Sequence, residues 1–277
     1  MSDVRVAVVG HVEWADFAVV ERLPKPGEII RASHRWSEAA GGGAVAAVQM
    51  MKLAGAAAFY TTLSGDELGR AAAAQLEEVG IALHAATRPE PQRRAFVHLD
   101  AAGERTITVL GPRMVANGTD PLPWSELEAF DAVYFTGGDA AALRAARGAR
   151  VLVATPRASE TLLTAGVELD VLVNSGNDAD EALDPSTLDP PPRHVVSTLG
   201  AQGGRWVGGE GETGTWKAAV LPGPIADAYG CGDSFAAGLT YALGASQPIA
   251  SAVELAARCG AACMTGRGPY AGQLRLS

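Results

Sequence analysis

The sequence predicts an α/β fold: a three-layer α/β/α sandwich with a mostly parallel sheet, plus a small β-sheet standing off it. Three observations carry this expectation. Short β-branched runs alternate with longer Ala-rich segments of helical spacing. The short runs are continuously apolar, so both faces are buried, as in a parallel sheet covered by helices on each side. Two further stretches alternate apolar with polar residues, so each buries one face only.

The elements follow in order. Val4–Gly10 reads as a buried strand, and Ala44–Gly55 as a helix closed by glycine. Ala57–Ser64 is the next strand and Glu67–Gly80 the next helix. Ala132–Gly137, Val151–Pro156, Val171–Ser175 and His194–Gly200 read as further strands. Phe17–Trp36 is extended and interrupted by Pro24 and Pro26, and Ala95–Leu110 reads as two strands around a turn at Ala102–Gly103. These half-polar stretches, about residues 12–36 and 93–112, form either a lid on the main body or two ordinary surface hairpins. Periodicity does not choose between them. Asp189–Arg193 (DPPPR) is a stiff loop. After Gly232, Phe235, Leu239, Ala242 and Leu243 recur at helical spacing.

One domain over 1–277 is expected from the length of 277 residues. A hydrophobic share of 48% and a charged share of 19% exclude disordered and fibrous classes. The net charge of -9, without a basic tract, argues against a nucleic-acid partner. Cys231, Cys259 and Cys263 are an odd, sparse set, which fits a reducing cytoplasm. Cys259 and Cys263 share a helix face but lack the histidines that a metal site would need. No apolar run reaches membrane-spanning length, and the start lacks a signal peptide's basic region and cleavage site. A cytoplasmic location without membrane contact is expected.

Glycine-rich turns stand where ligands bind an α/β sheet. Gly230 and Gly232 flank Cys231 at a helix start, where backbone N–H groups can face an anion. A second such start is Ala40–Ala47 (AGGGAVAA). Neither fits the phosphate-loop pattern with its Lys-Ser or Lys-Thr, and Gly10 does not open a dinucleotide motif. A dinucleotide or nucleotide-sugar binder is therefore the weakest reading. Asp233 sits at the mouth of its glycine turn. Alone, that aspartate would read as a helix cap.

The combination is more specific. Gly41-Gly42 early, Gly103–Thr106 (GERT) midway, Thr198–Gly203 (TLGxxG) and finally Asp227–Phe235 (DxxGxGDxF) resemble the ribokinase-like, or PfkB, family of carbohydrate kinases. Leu23–Ile29 (LPKPGEI) matches the family's early signature more loosely. The resemblance spans nearly the whole chain. It implies a three-layer core with a β-lid and an ATP-dependent kinase of a sugar or sugar-like hydroxyl; a nucleoside or phosphosugar acceptor is also open. The N–H groups of Gly230, Cys231 and Gly232, with Asp233, would form an anion hole at the γ-phosphate. Asp233, at an ordinary pKa of about 3.9, would accept the hydroxyl proton. Asn174, Thr198, Gly200 and Gly203 would line the ATP site, and Gly41, Gly42 and Gly43 the acceptor site. The resemblance also implies Mg2+ and a monovalent cation, K+, the latter on Asp227 and the Tyr229 carbonyl.

The departures bear on substrate and metal. Ala46 stands where many members have an asparagine that contacts sugar hydroxyls, and Ala15 where an aspartate is usual. Glu13 and Asp16 flank that position; they bind substrate hydroxyls or are solvated loop charges. Trp14 stacks on a ligand face or packs under the lid. The family's NxxE motif reads Asn174-Ser175-Gly176-Asn177. Asn177 and the adjacent Asp178 are thus the magnesium candidates, unless ATP and water hold the ion. Thr155-Pro156-Arg157 fits a D-x-N-x-R strand end without its aspartate. Arg94 meets an anionic substrate group or is a plain surface arginine. Cys231 replaces the usual alanine, and at a helix start its thiol pKa is expected to fall. The missing asparagine and altered NxxE favour a non-catalytic binding relative, and the intact Asp233 turn weighs against it. The open edges of a lid sheet allow either a homodimer or a monomer with a blunted edge.

Overall fold

The computed structural model describes residues 4–101 and 103–276. The chain begins with β1 (Val6–Val9), β2 (Glu13–Val19) and β3 (His34–Ala40), then α1 (Gly42–Ala54), β4 (Ala57–Ser64), α2 (Glu67–Glu78) and β5 (Ile81–Arg88). β6 (Arg94–Leu99) and β7 (Arg105–Leu110) follow, then β8 (Ala132–Phe135), α3 (Ala140–Ala146), β9 (Val151–Ala154) and α4 (Ser159–Ala165). Last come β10 (Val171–Ser175), β11 (His194–Thr198), β12 (Gly204–Gly208), β13 (Thr213–Trp216), α5 (Cys231–Gly244), α6 (Ile249–Cys263) and α7 (Gly268–Ala271).

The nine-stranded sheet has the order β13-β12-β11-β10-β9-β8-β1-β4-β5. Pairing is parallel from β11 to β5 and antiparallel at β11–β12 and β12–β13. Successive residues of β1 enter different cores, because side chains alternate across a strand. Val6 and Val8 join the core under α1, α2, α5 and α6, whereas Ala7 and Val9 join the one under α3 and α4. This double burial is why the strand sequences are continuously apolar.

The two half-polar stretches form one four-stranded sheet, order β3-β2-β6-β7. Its inner face sets Ala15, Phe17, Ala95, Val97 and Leu99 against Val45 and Tyr229. β7 is exposed along its whole length. The expected extent of the first stretch needs correcting. The paired strands are Glu13–Val19 and His34–Ala40, and the intervening 20–33 is irregular. Pro24 and Pro26 lack the N–H a ladder requires. In the expected turn at Ala102–Gly103, Ala102 lies outside the described residues. Among the described residues, no helix is long and apolar enough to cross a membrane.

Candidate active site

The carboxyl ends of the parallel strands and the starts of α1 and α5 enclose two cavities, of about 580 and 370 Å3. The first turn of α5 stands between them. Gly230 and Asp233 face the larger cavity, and Cys231 and Gly232 the smaller. Gly230 takes φ +77°, a left-handed conformation that glycine adopts without a Cβ penalty, and no side chain caps the helix. Its first-turn N–H groups therefore supply partial positive charge between the two spaces.

Asp233 also abuts α1. A Cβ built on Gly42 would lie 2.6 Å from Asp233 Oδ1, so glycine is what lets the carboxylate rest there. Burial, and then the nearby Glu181, push the Asp233 carboxyl up to about 6, against the pull of Arg105 and Arg157. The expectation of an ordinary carboxyl is corrected accordingly: desolvation disfavours its charge.

The larger cavity is polar. His11 and Glu13 come from the segment after β1, Thr136 follows β8, and Arg157 follows β9. Arg93 comes from the loop just before β6, β7 adds Arg105, Ile107 and Val109, and Arg113 follows the small sheet. Arg113 donates to His11 Nδ1 (3.0 Å), Thr136 O (2.6 Å) and Arg157 O (2.7 Å). A guanidinium cannot accept, so the His11 proton sits on Nε2. Burial, then Arg113, hold His11 well below its ordinary pKa, and it stays neutral. Glu13 accepts from Tyr229 Oη (3.0 Å) and Arg93 Nε (3.1 Å), and Tyr229 Oη accepts from Gly41 N (3.2 Å). That chain of bonds ties β2, the glycine start of α1 and the Asp233 turn into one unit.

The smaller cavity is largely apolar. Thr198, Gly200, Gly203, Trp216, Leu221 and Ala257 surround it, and Trp216 stacks on Phe235 at 5.7 Å between centroids. Asn174, expected at the ATP site, does not line this cavity; at the end of β10 it accepts from Ser197 Oγ (2.8 Å).

The profile of the pfkB family carbohydrate kinases matches residues 3–163 and 140–274. The chain belongs to this family. It is accordingly a phosphotransferase that acts on a hydroxyl group. Solved structures agree in fold. A ribokinase from Giardia lamblia is 19% identical with TM-score 0.81, covering 98% of this chain and 96% of that one. An Arabidopsis thaliana ribokinase complexed with ribose and ATP is 20% identical with TM-score 0.74, over 97% and 96%. An adenosine kinase from Sinorhizobium meliloti is 17% identical with TM-score 0.76, over 97% and 96%. No curated protein sequence matches the chain.

The fold brings together most of the residues singled out by this family's motifs. Asp233, Gly230, Glu13, Gly41 and Gly42 meet at the larger cavity; Cys231, Gly232, Thr198, Gly200 and Gly203 meet at the smaller. Others fall elsewhere. Asp16 is three residues from Glu13 and so points to the opposite face of β2. There it bonds Ser37 (2.6 Å) and Arg94 (2.7 Å), which also makes Arg94 a surface pair. Gly43 packs on His11, since a Cβ there would lie 2.7 Å from the His11 carbonyl. Trp14 packs against the main core.

The cation candidates are already engaged. Asp227 accepts from Tyr229 N (2.8 Å) and Gly268 N (2.6 Å), and the Tyr229 carbonyl accepts from Cys263 Sγ (3.4 Å). Asp178 pairs with Arg157, and Asn177 is exposed. Among the described residues, no group of three or more His, Cys, Asp or Glu side chains is arranged for a metal. These residues do not fit a protein-built metal cage, so no step is routed through one. The Cys231 expectation also reverses. Burial raises its thiol pKa and outweighs the helix start and Arg105.

Motif reading missed His11, Arg93, Arg113 and Glu181, and gave no role to Arg105 within the GERT motif. Glu181 accepts from Ser175 N (2.7 Å) at the end of β10 and from Arg157 Nε (2.9 Å). An acid seven residues after Asn174 was its only sequence signal.

Proposed function

We propose that this protein transfers the γ-phosphoryl group of ATP to a hydroxyl of a sugar or sugar-like substrate. The observation that carries the reading is the α5 turn between two unlike cavities. The apolar one suits a nucleotide base, and the polar one a polar acceptor that carries a hydroxyl. Their shared wall offers backbone N–H groups on one side and a carboxylate on the other.

In this reading the N–H groups of residues 230–233 stabilise charge on the transferred phosphoryl group. The acceptor oxygen bonds to the γ-phosphorus as the bridging P–O bond breaks and ADP leaves. The hydroxyl proton passes to Asp233. With a pKa of about 6, that carboxyl is still ionised roughly ten to one at pH 7. Gly42 and the Glu13–Tyr229–Gly41 bonds keep it in position.

The test is ADP release against pentoses, hexoses, their phosphates and nucleosides, with Mg2+ and K+ present. Turnover that disappears in Asp233→Asn, while ATP binding persists, supports the reading. Tight ligand binding without turnover on any acceptor would replace it with the binding-only alternative.

A further inference from the structure

The chain carries a net charge of -9, yet its larger cavity is walled by Arg93, Arg105, Arg113 and Arg157. Two of these are neutralised in place. Arg93 faces Glu13 (3.1 Å), and Arg157 meets Asp178, Asp180 (3.7 Å) and Glu181 (2.9 Å). Among the described residues, no carboxylate stands within 4.0 Å of Arg105 or Arg113. Arg105 reaches in from β7 and commits one of its five N–H donors, to Ala228 O (3.1 Å). Arg105 is exposed on β7, and it acts on Asp233 and Asp227 only at a distance, without contacting either, so a ligand's charge can pair with it at close range.

Hydrogen-bond demand points the same way. Sugar hydroxyls need acceptors as well as donors, whereas arginine only donates. The acids on this wall are Glu13, Asp180 and Asp233. Both Glu13 oxygens already accept from protein donors, and Asp180 sits by Arg157. Ala15 and Ala46 are buried and bring no polar atom. A neutral polyol would find donors in excess and few acceptors. An acidic oxygen group, which only accepts, matches what is offered, and bidentate pairing suits arginine.

We propose that the acceptor bears an anionic group, a phosphate or a carboxylate, in addition to the hydroxyl that is phosphorylated, and that the arginines of this cavity, Arg105 foremost, hold it. The inference rests on the kinase reading for which cavity takes the acceptor.

Two measurements test it, at fixed ionic strength. Calorimetry compares binding of neutral sugars, the matching sugar phosphates and the matching sugar acids, without nucleotide. Steady-state ADP release then gives kcat and KM for the same set. Expected is a preference of about 10- to 100-fold for one anionic series over its neutral parent, the size of a charge-assisted contact. The phosphate and acid arms identify which group is recognised. Arg105→Gln keeps a donor for Ala228 but loses the charge; it should raise the anionic acceptor's KM about tenfold or more and leave the KM for ATP unchanged. Arg105→Lys should recover part of that loss.

Binding or turnover of neutral sugars as good as that of both anionic series overturns the inference and leaves the kinase reading standing. Binding of neither class overturns it too. A matching rise in the KM for ATP in Arg105→Gln overturns it by assigning the charge to the nucleotide. Selective binding of anionic sugars without any turnover supports the subsite and overturns the kinase reading instead.

Discussion

Gly42→Ala separates the chemistry from the fold. Gly42 opens α1 without a left-handed backbone, so alanine meets no φ strain there. Alanine is the better helix former by about 0.5–1 kcal/mol. The new methyl, however, would lie 2.6 Å from Asp233 Oδ1, with the Asp233 carboxyl carbon at 3.4 Å. To regain ordinary contact of about 3.4 Å, the oxygen must retreat by roughly 0.8 Å. Displacing a catalytic group by about 1 Å costs on the order of 100-fold in rate. The expected outcome is kcat lowered about 100-fold with Tm unchanged or slightly raised, read by ADP release and by calorimetric melting. A variant that melts normally and turns over at the parent rate would show that the Asp233 position does not matter, and the proposed base would fall.

Asp233→Asn should lower kcat by about 100- to 10,000-fold, the range for a general base, with nucleotide affinity retained in titration calorimetry. In the parent enzyme, kcat/KM should decline as pH drops through about 6. The same raised carboxyl destabilises the fold once ionised. Its stabilising contribution is full below the ordinary value of 3.8 and is lost as pH rises through about 6. Asp233→Asn should therefore melt higher than the parent above pH 6, and an equal or lower Tm there would contradict the burial argument. Tyr229→Phe removes the hydroxyl that donates to Glu13 and accepts from Gly41 N. Chemical denaturation should record a loss of about 1–3 kcal/mol, the cost of stranding buried polar groups. Cys231 should react slowly with iodoacetamide at neutral pH, faster as pH rises, and be protected by nucleotide. Rapid modification at pH 7 would mean that the thiol is not desolvated.

Much of this was legible in linear pattern. The strands Val6–Val9, Ala57–Ser64, Ala132–Phe135, Val151–Ala154, Val171–Ser175 and His194–Thr198 were all visible as runs rich in apolar residues, because burial on both faces leaves few positions for polar side chains. β5, β12 and β13 were not. They lie toward the sheet edges, and their mixed residues show no such run. α3 and α4 are short, at seven residues each, too brief for a helical period to emerge.

The family and the Asp233 turn were readable along the chain, because glycines at fixed spacing and a helix start are local facts of it. The opposite facing of Glu13 and Asp16 does not show there, because both read as loop residues and only the structure places them on β2. The charge of the site emerged only when the chain folded. Arg93, Arg105, Arg113 and Arg157 are scattered along the chain, and the two that fall in motifs, Arg105 in GERT and Arg157 at the strand end, carry no sign there of sharing a wall; they converge because the small sheet folds over the strand ends. Folding likewise decided the two titrations that helix chemistry alone misjudged. The carboxyl of Asp233 and the thiol of Cys231 both sit at a helix start that favours negative charge, but burial disfavours charge more strongly, and both pKa values rise.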